Sequence, residues 1–66
     1  MPIVNITMLE GRTEEQKRNM VKAVTEAIVE TSGARPENVT ITIVDVPPTN
    51  VATGGVLNSD KRRNPA

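Results

Sequence analysis

The sequence has no cysteine, no histidine and no aromatic residue. Without cysteine it can form neither a disulfide framework nor a cysteine-based metal site. It offers no ring on which a nucleic acid base could stack, and its eight basic residues are balanced by eight acidic ones, so nucleic acid is not an expected partner. It also lacks a long apolar run and a start that resembles a signal peptide, so we expect a cytoplasmic protein with no membrane partner.

The chain is short, and its apolar residues are all aliphatic. Its 66 residues are enough for one domain, spanning residues 1–66, whose core must be built from Val, Ile, Leu, Met and Ala. A core of this size rarely leaves more than a few kcal/mol of stability once the entropy of ordering the chain is counted. Self-association is therefore expected.

Residues 2–9 alternate as a β-strand does, and both faces of this strand carry apolar side chains. One face presents Val4, Ile6 and Met8, and the other presents Ile3, Asn5, Thr7 and Leu9. A strand that is apolar on both faces is typical of one covered on both sides. In so small a chain, the second cover would have to come from another subunit.

An amphipathic helix is predicted over residues 13–31. It begins at a capping box, TEEQ, in which Thr13 is the N-cap, and Gly33 is a plausible stop. Apolar residues recur at helical spacing opposite a charged face that we interpret as solvated. They are Met20, Val21, Val24, Ala27 and Ile28.

The second half of the chain predicts a strand and a hairpin. A turn at residues 34–38 precedes a β-branched strand at residues 39–46, and a right-handed crossover would make the two strands parallel. Residues 49–57 then predict a short hairpin that turns near Gly54 and Gly55. The expected fold class is α/β, a single β-α-β unit with a C-terminal hairpin. Residues 58–66 are either a frayed tail, which composition favours, or an arm on another subunit.

Pro2 has a chemical interpretation and a structural one. Methionine aminopeptidases remove Met1 when the next residue is small, so we expect a mature chain that begins with the secondary amine of Pro2. An α-amino group has an unperturbed pKa of about 7.7 to 8.0, which desolvation or a nearby cation lowers, and such a base suits proton abstraction. Alternatively, proline serves only as a strand-edge residue whose missing N–H does no harm.

Several segments together resemble the 4-oxalocrotonate tautomerase family, also called 2-hydroxymuconate tautomerases. They are Pro2 after Met1, residues 8–17 (MLEGRTEEQK), residues 24–28 (VTEAI), the pair Gly54 and Gly55, and residues 61–63 (KRR). The resemblance covers nearly the whole chain. Its most specific part is the segment LEGR at its distance from an amino-terminal proline.

The resemblance implies a cofactor-independent isomerase that acts on a small unsaturated keto or enol acid, in aromatic hydrocarbon catabolism. It also implies a hexamer, a trimer of dimers, with Pro2 as the general base. Arg12 would bind a substrate carboxylate, which a guanidinium fork matches bidentately. Arg62 is a weaker candidate for substrate binding, and Leu9 and Val51 would border the pocket.

Two positions depart from the family pattern and leave three interpretations open. Thr40 stands where well-studied members have a second arginine, and Val51 stands where they have an aromatic residue; Arg35 could replace the arginine only if its loop turned inward. The chain is then a tautomerase of 2-hydroxymuconate or a related enol acid, a relative with altered chemistry such as hydration or dehalogenation, or a supporting subunit of a hetero-hexamer. Retention of Pro2 weighs against the last interpretation.

Overall fold

The computed structural model describes residues 2–63, and the side chains of residues 2–61. Strands β1 (Ile3–Leu9) and β2 (Thr40–Val46) form a parallel pair, and helix α1 (Glu14–Ser32) connects them. Strands β3 (Ala52–Thr53) and β4 (Val56–Leu57) form an antiparallel hairpin, followed by helix α2 (Asn58–Arg63). The predicted α/β fold, a β-α-β unit with a C-terminal hairpin, is confirmed. In residues 2–63, no helix combines the length and the apolar character needed to cross a bilayer.

The inner face of the two-stranded sheet is the more buried one. The register pairs Val4 with Ile41 and Ile6 with Ile43, and all four side chains are half-buried. These positions alternate with exposed ones along both strands, as the sequence predicts for strands with one face against a helix. Helix α1 is thus the cover of this face.

Both ends of α1 are capped as the sequence predicts. The Thr13 hydroxyl accepts a hydrogen bond from the Gln16 N–H at 3.1 Å, and the Gln16 side-chain oxygen accepts one from the Thr13 N–H at 2.9 Å. At the other end Gly33 adopts a left-handed conformation with φ 77°, and its N–H bonds the Val29 carbonyl at 3.2 Å. This conformation disfavours residues with a Cβ atom, which explains glycine at the stop.

The apolar stripe of α1 differs from the prediction at one residue. Met20, Val21, Val24 and Ile28 are half-buried as expected, but Ala27 is exposed. Ala27 therefore does not contribute to the half-buried stripe of the single chain.

A closed core is missing from the single chain. None of the described residues is fully buried, and on the outer face of the sheet Ile3 is 63% exposed and Val44 is 52% exposed. Between them, the Thr42 hydroxyl donates a hydrogen bond to the Asn5 side-chain oxygen at 2.5 Å. This mixed apolar and polar face supports the prediction that β1 needs a second cover from outside its own chain.

Helix α2 is an element that sequence reasoning missed. Residues 58–66 were expected to form an irregular tail or arm, whereas the structure has a helix over Asn58–Arg63. The helix contacts β4 and the 3₁₀ turn at Pro48–Asn50, and the Asn58 N–H bonds the Val51 carbonyl at 2.8 Å. Residues 64–66 lie outside the described residues, and contact of this segment with another subunit stays a prediction.

The capping box predicts how stability responds to the loss of the Thr13 side chain. Thr13→Ala should lower the free energy of unfolding by about 1 kcal/mol, because one amide at the start of α1 loses its acceptor. Urea titration followed by circular dichroism, at one fixed protein concentration, measures the change. Thr49→Ala, in a turn without a side-chain cap, is the matched control. Equal loss in both variants would contradict the capping role.

Candidate active site

Pro2 is fixed at the amino end of the parallel sheet. It lies directly before β1, it is half-buried, and its carbonyl accepts a hydrogen bond from the Thr40 N–H at 3.1 Å. The main chain of Pro2 is therefore tied to the start of β2. While Met1 is attached, a proline suits this position because its amide nitrogen has no proton to give to the ladder.

Arg12 lies at the opposite, carboxyl end of the sheet. The Glu10 N–H bonds the Val46 carbonyl at 2.9 Å, so β1 and β2 stay together to their last residues. Gly11 follows with φ 119°, a conformation that side chains with a Cβ atom rarely adopt. This bend directs the chain towards α1 and leaves Arg12 between the end of β1 and the N-cap Thr13.

A pocket of about 180 Å³ opens beside Arg12. It lies between the end of β1 and the first turns of α1. Its lining combines two thioethers, one amide and two cations, and the residues are Met8, Arg12, Gln16, Lys17 and Met20. The pocket can therefore take a short apolar chain with an anionic end.

The two cations of this pocket differ in their partners. Lys17 forms an ion pair with Asp45, which binds the start of α1 to the end of β2. The other ion pairs of the described side chains are Glu14 with Arg18 and Glu37 with Arg35, so none of them involves Arg12. Arg12 thus supplies the uncompensated positive charge of the pocket, and a guanidinium is well suited to bind a carboxylate.

Pro2 and Arg12 are not brought together within one chain. They flank β1, whose seven residues at about 3.3 Å each span about 23 Å. A small substrate cannot contact both in the same copy. A site that uses both residues needs Pro2 from one copy and Arg12 from another.

Leu9 is the last residue of β1, and Val51 follows β2 in the chain. Leu9 ends β1 in register with Val46 and is half-buried. Val51 comes after the 3₁₀ turn at Pro48–Asn50 and is also half-buried. The side chain of Arg62, the weaker candidate, lies outside the described residues.

Neither Thr40 nor Arg35 places a cation near Pro2 in the single chain. Thr40 is exposed and carries only a hydroxyl. The Arg35 side chain is 78% exposed, and its Nε pairs with the Glu37 carboxylate at 3.3 Å. Arg35 is thus engaged within its own turn, so it does not replace the family arginine in the single chain.

Sequence reasoning missed three polar residues at the Arg12 end. Asp45 is in register with Met8 on the inner face of the sheet. Alternation along β2 predicts an apolar residue there. The exception could have indicated an oppositely charged partner such as Lys17. Gln16 was identified only as part of the capping box. Among residues 2–63, no three acidic side chains gather as a metal site would require.

Comparison with known proteins identifies the family. The model of the Tautomerase family, described as "Tautomerase enzyme", matches residues 2–61. A 2-hydroxymuconate tautomerase of Bacillus subtilis (strain 168) is 48% identical over 60 residues, which cover 91% of this chain and 97% of that protein.

Solved structures agree with this result. A 4-oxalocrotonate tautomerase isozyme of Methylibium petroleiphilum superposes with a TM-score of 0.92 at 40% identity and covers 94% of this chain and 97% of its own. A heterohexamer 4-oxalocrotonate tautomerase of Chloroflexus aurantiacus superposes with a TM-score of 0.87 at 35% identity. The match covers 91% of this chain and 97% of that chain.

A parallel β-α-β unit of this size, with these relatives, defines a small isomerase. The chain belongs to the tautomerase family, within the group of 4-oxalocrotonate tautomerase homologues.

Proposed function

We propose that this protein is a cofactor-independent tautomerase that converts a dienol acid such as 2-hydroxymuconate to its conjugated keto form. Pro2, as the amino-terminal residue after loss of Met1, takes the proton of the dienol oxygen and gives a proton to a carbon of the conjugated chain. One O–H bond breaks, one C–H bond forms and the double bonds shift, so the reaction needs no external oxidant or reductant. The similarity to a 2-hydroxymuconate tautomerase supports this substrate class.

The observation that carries the proposal is the anchoring of Pro2. Its carbonyl is bonded to the Thr40 N–H, and the residue is half-buried at the end of a strand. A general base must be held within hydrogen-bond reach of the proton that it abstracts. Burial by a neighbouring copy would lower the pKa of the amine, because desolvation disfavours its charged form.

Arg12 of a second copy completes the proposed site. The separation of the two ends of β1 requires this, and the exposed outer face with Ile3 and Val44 offers a surface through which copies can associate. The pocket beside Arg12 would hold the substrate carboxylate. Leu9 and Val51 do not line this pocket in the single chain, and their assignment to the site rests on the family resemblance. We propose a hexamer of such chains in the cytoplasm, in keeping with the relative described as a heterohexamer.

Thr40 favours a second candidate function. Its N–H is bonded to the Pro2 carbonyl. The family resemblance implies a cation at this position in well-studied members, whereas Thr40 offers a hydroxyl. The loss of one preorganised donor typically costs about 10² to 10³ in rate. The chain would then act on a different unsaturated acid, or would need a related chain to supply the missing cation. Activity of the purified chain alone on 2-hydroxymuconate distinguishes the main proposal from both alternatives.

Replacement of Pro2 tests the base. Pro2→Ala should lower kcat/KM for 2-hydroxymuconate ketonisation by about a hundredfold, because the processed variant carries a primary amine in place of the positioned secondary amine. The ultraviolet time course of the reaction measures kcat/KM, and the intact mass of each sample confirms removal of Met1. Pro36→Ala, in the exposed turn before β2, should retain full turnover. Unchanged turnover in Pro2→Ala would remove Pro2 from the mechanism.

Replacement of Arg12 tests substrate binding. Arg12→Ala should raise KM by about ten- to hundredfold, the usual effect of losing a hydrogen bond to a charged group, with a smaller effect on kcat. Arg18→Ala, an exposed arginine paired with Glu14, is the control. An unchanged KM in Arg12→Ala would rule out the carboxylate-binding role.

The composite site predicts complementation between two inactive variants. Pro2→Ala and Arg12→Ala chains, unfolded and refolded together, should recover roughly a quarter of the wild-type sites, because random pairing leaves that share with both native residues. Each variant refolded alone is the control. Activity no higher than the average of the two separate variants would show that Pro2 and Arg12 do not meet across copies.

A further inference from the structure

The two ends of the Gln16 side-chain amide have different environments. Its oxygen accepts the Thr13 N–H at 2.9 Å and thereby completes the capping box. Since only the oxygen can accept a hydrogen bond, the cap fixes the orientation of the amide. The NH₂ group donates none of the hydrogen bonds found among the described residues, and Gln16 lines the pocket that contains Arg12.

Capping alone does not explain glutamine at this position. Glutamate completes a capping box equally well, since its carboxylate also accepts the N–H of the N-cap residue. The chain places glutamate at the two preceding positions, Glu14 and Glu15, and neither of them lines the pocket. Among the first three residues of α1, only Gln16 lines the pocket.

The charge of the pocket explains why glutamine is preferred to glutamate at position 16. Lys17 is paired with Asp45, so the net attraction for an anion comes from Arg12. A carboxylate at position 16 would oppose that attraction at close range and compete with the ligand for Arg12. A neutral amide preserves the positive charge and adds an N–H donor.

We infer that Gln16 is a specificity-determining residue for the anionic end of the substrate. Its NH₂ group donates to the carboxylate that Arg12 binds, while Met8 and Met20 contact the adjoining carbon chain. The ligand class is a short-chain dicarboxylate, and this assignment rests on the proposed function for the substrate but not on the role of Pro2.

Gln16→Glu is the decisive variant, because it keeps the cap and changes the charge. The test is calorimetric titration of adipate, the saturated dicarboxylate with the chain length of muconate, into Pro2→Ala protein at neutral pH. Gln16→Glu in this background should raise the Kd of adipate roughly tenfold, as expected for a nearby like charge at a partly exposed site. Lys22→Gln, on the exposed face of α1, changes the net charge by the same amount and should leave the Kd unchanged.

Two further readouts separate specificity from structure. The thermal unfolding midpoint of Gln16→Glu should match that of the parent protein, since the capping hydrogen bonds persist. With Pro2 present, Gln16→Glu should raise KM for 2-hydroxymuconate and leave kcat nearly unchanged.

The outcomes distinguish this inference from the proposed function. Equal adipate affinity in Gln16→Glu and the parent protein would overturn the inference, and so would failure of the parent protein to bind adipate. If Pro2→Ala retains turnover while Gln16→Glu weakens adipate binding, the base assignment fails and the role of Gln16 stands.

Discussion

The incomplete burial of a single chain is the constraint on which the rest of the structure depends. Two parallel strands and one helix can cover only one face of a sheet, and none of the described residues is fully buried. The sequence has no aromatic residue that could compensate with a large buried area. The outer face of β1 and β2 is left without a cover in the single chain, and the association that we propose would supply it.

Parallel pairing links this constraint to the chemistry. Because β1 and β2 run in the same direction, both of their amino ends, with Pro2 and Thr40, lie at one edge of the sheet, and both carboxyl ends lie at the other. The bend at Gly11 then places Arg12 at the far edge. In the proposed assembly, the contact that covers the sheet also brings a base from one chain to a cation of another.

The sequence predicts most of this fold because its local patterns are consistent. The alternation of β1, the capping box at Thr13 and the stop at Gly33 each involve residues close in the chain, and the structure confirms all of them. Helix α2 was missed because its support comes from contacts with β4 and the preceding turn, which no periodicity reports. The ion pair between Lys17 and Asp45 was missed for the same reason, since its two residues are 28 positions apart in the chain.

The placement of Pro2 and Arg12 at opposite ends of one strand has a consequence for how such a protein can diverge. If each site takes Pro2 from one chain and Arg12 from another, a chain that loses one of these residues can still supply the other to a neighbouring site. After duplication of a gene, the two copies could therefore lose complementary halves of the chemistry without loss of activity in the cell. A division of labour between unlike chains is then a short evolutionary step from a symmetric assembly.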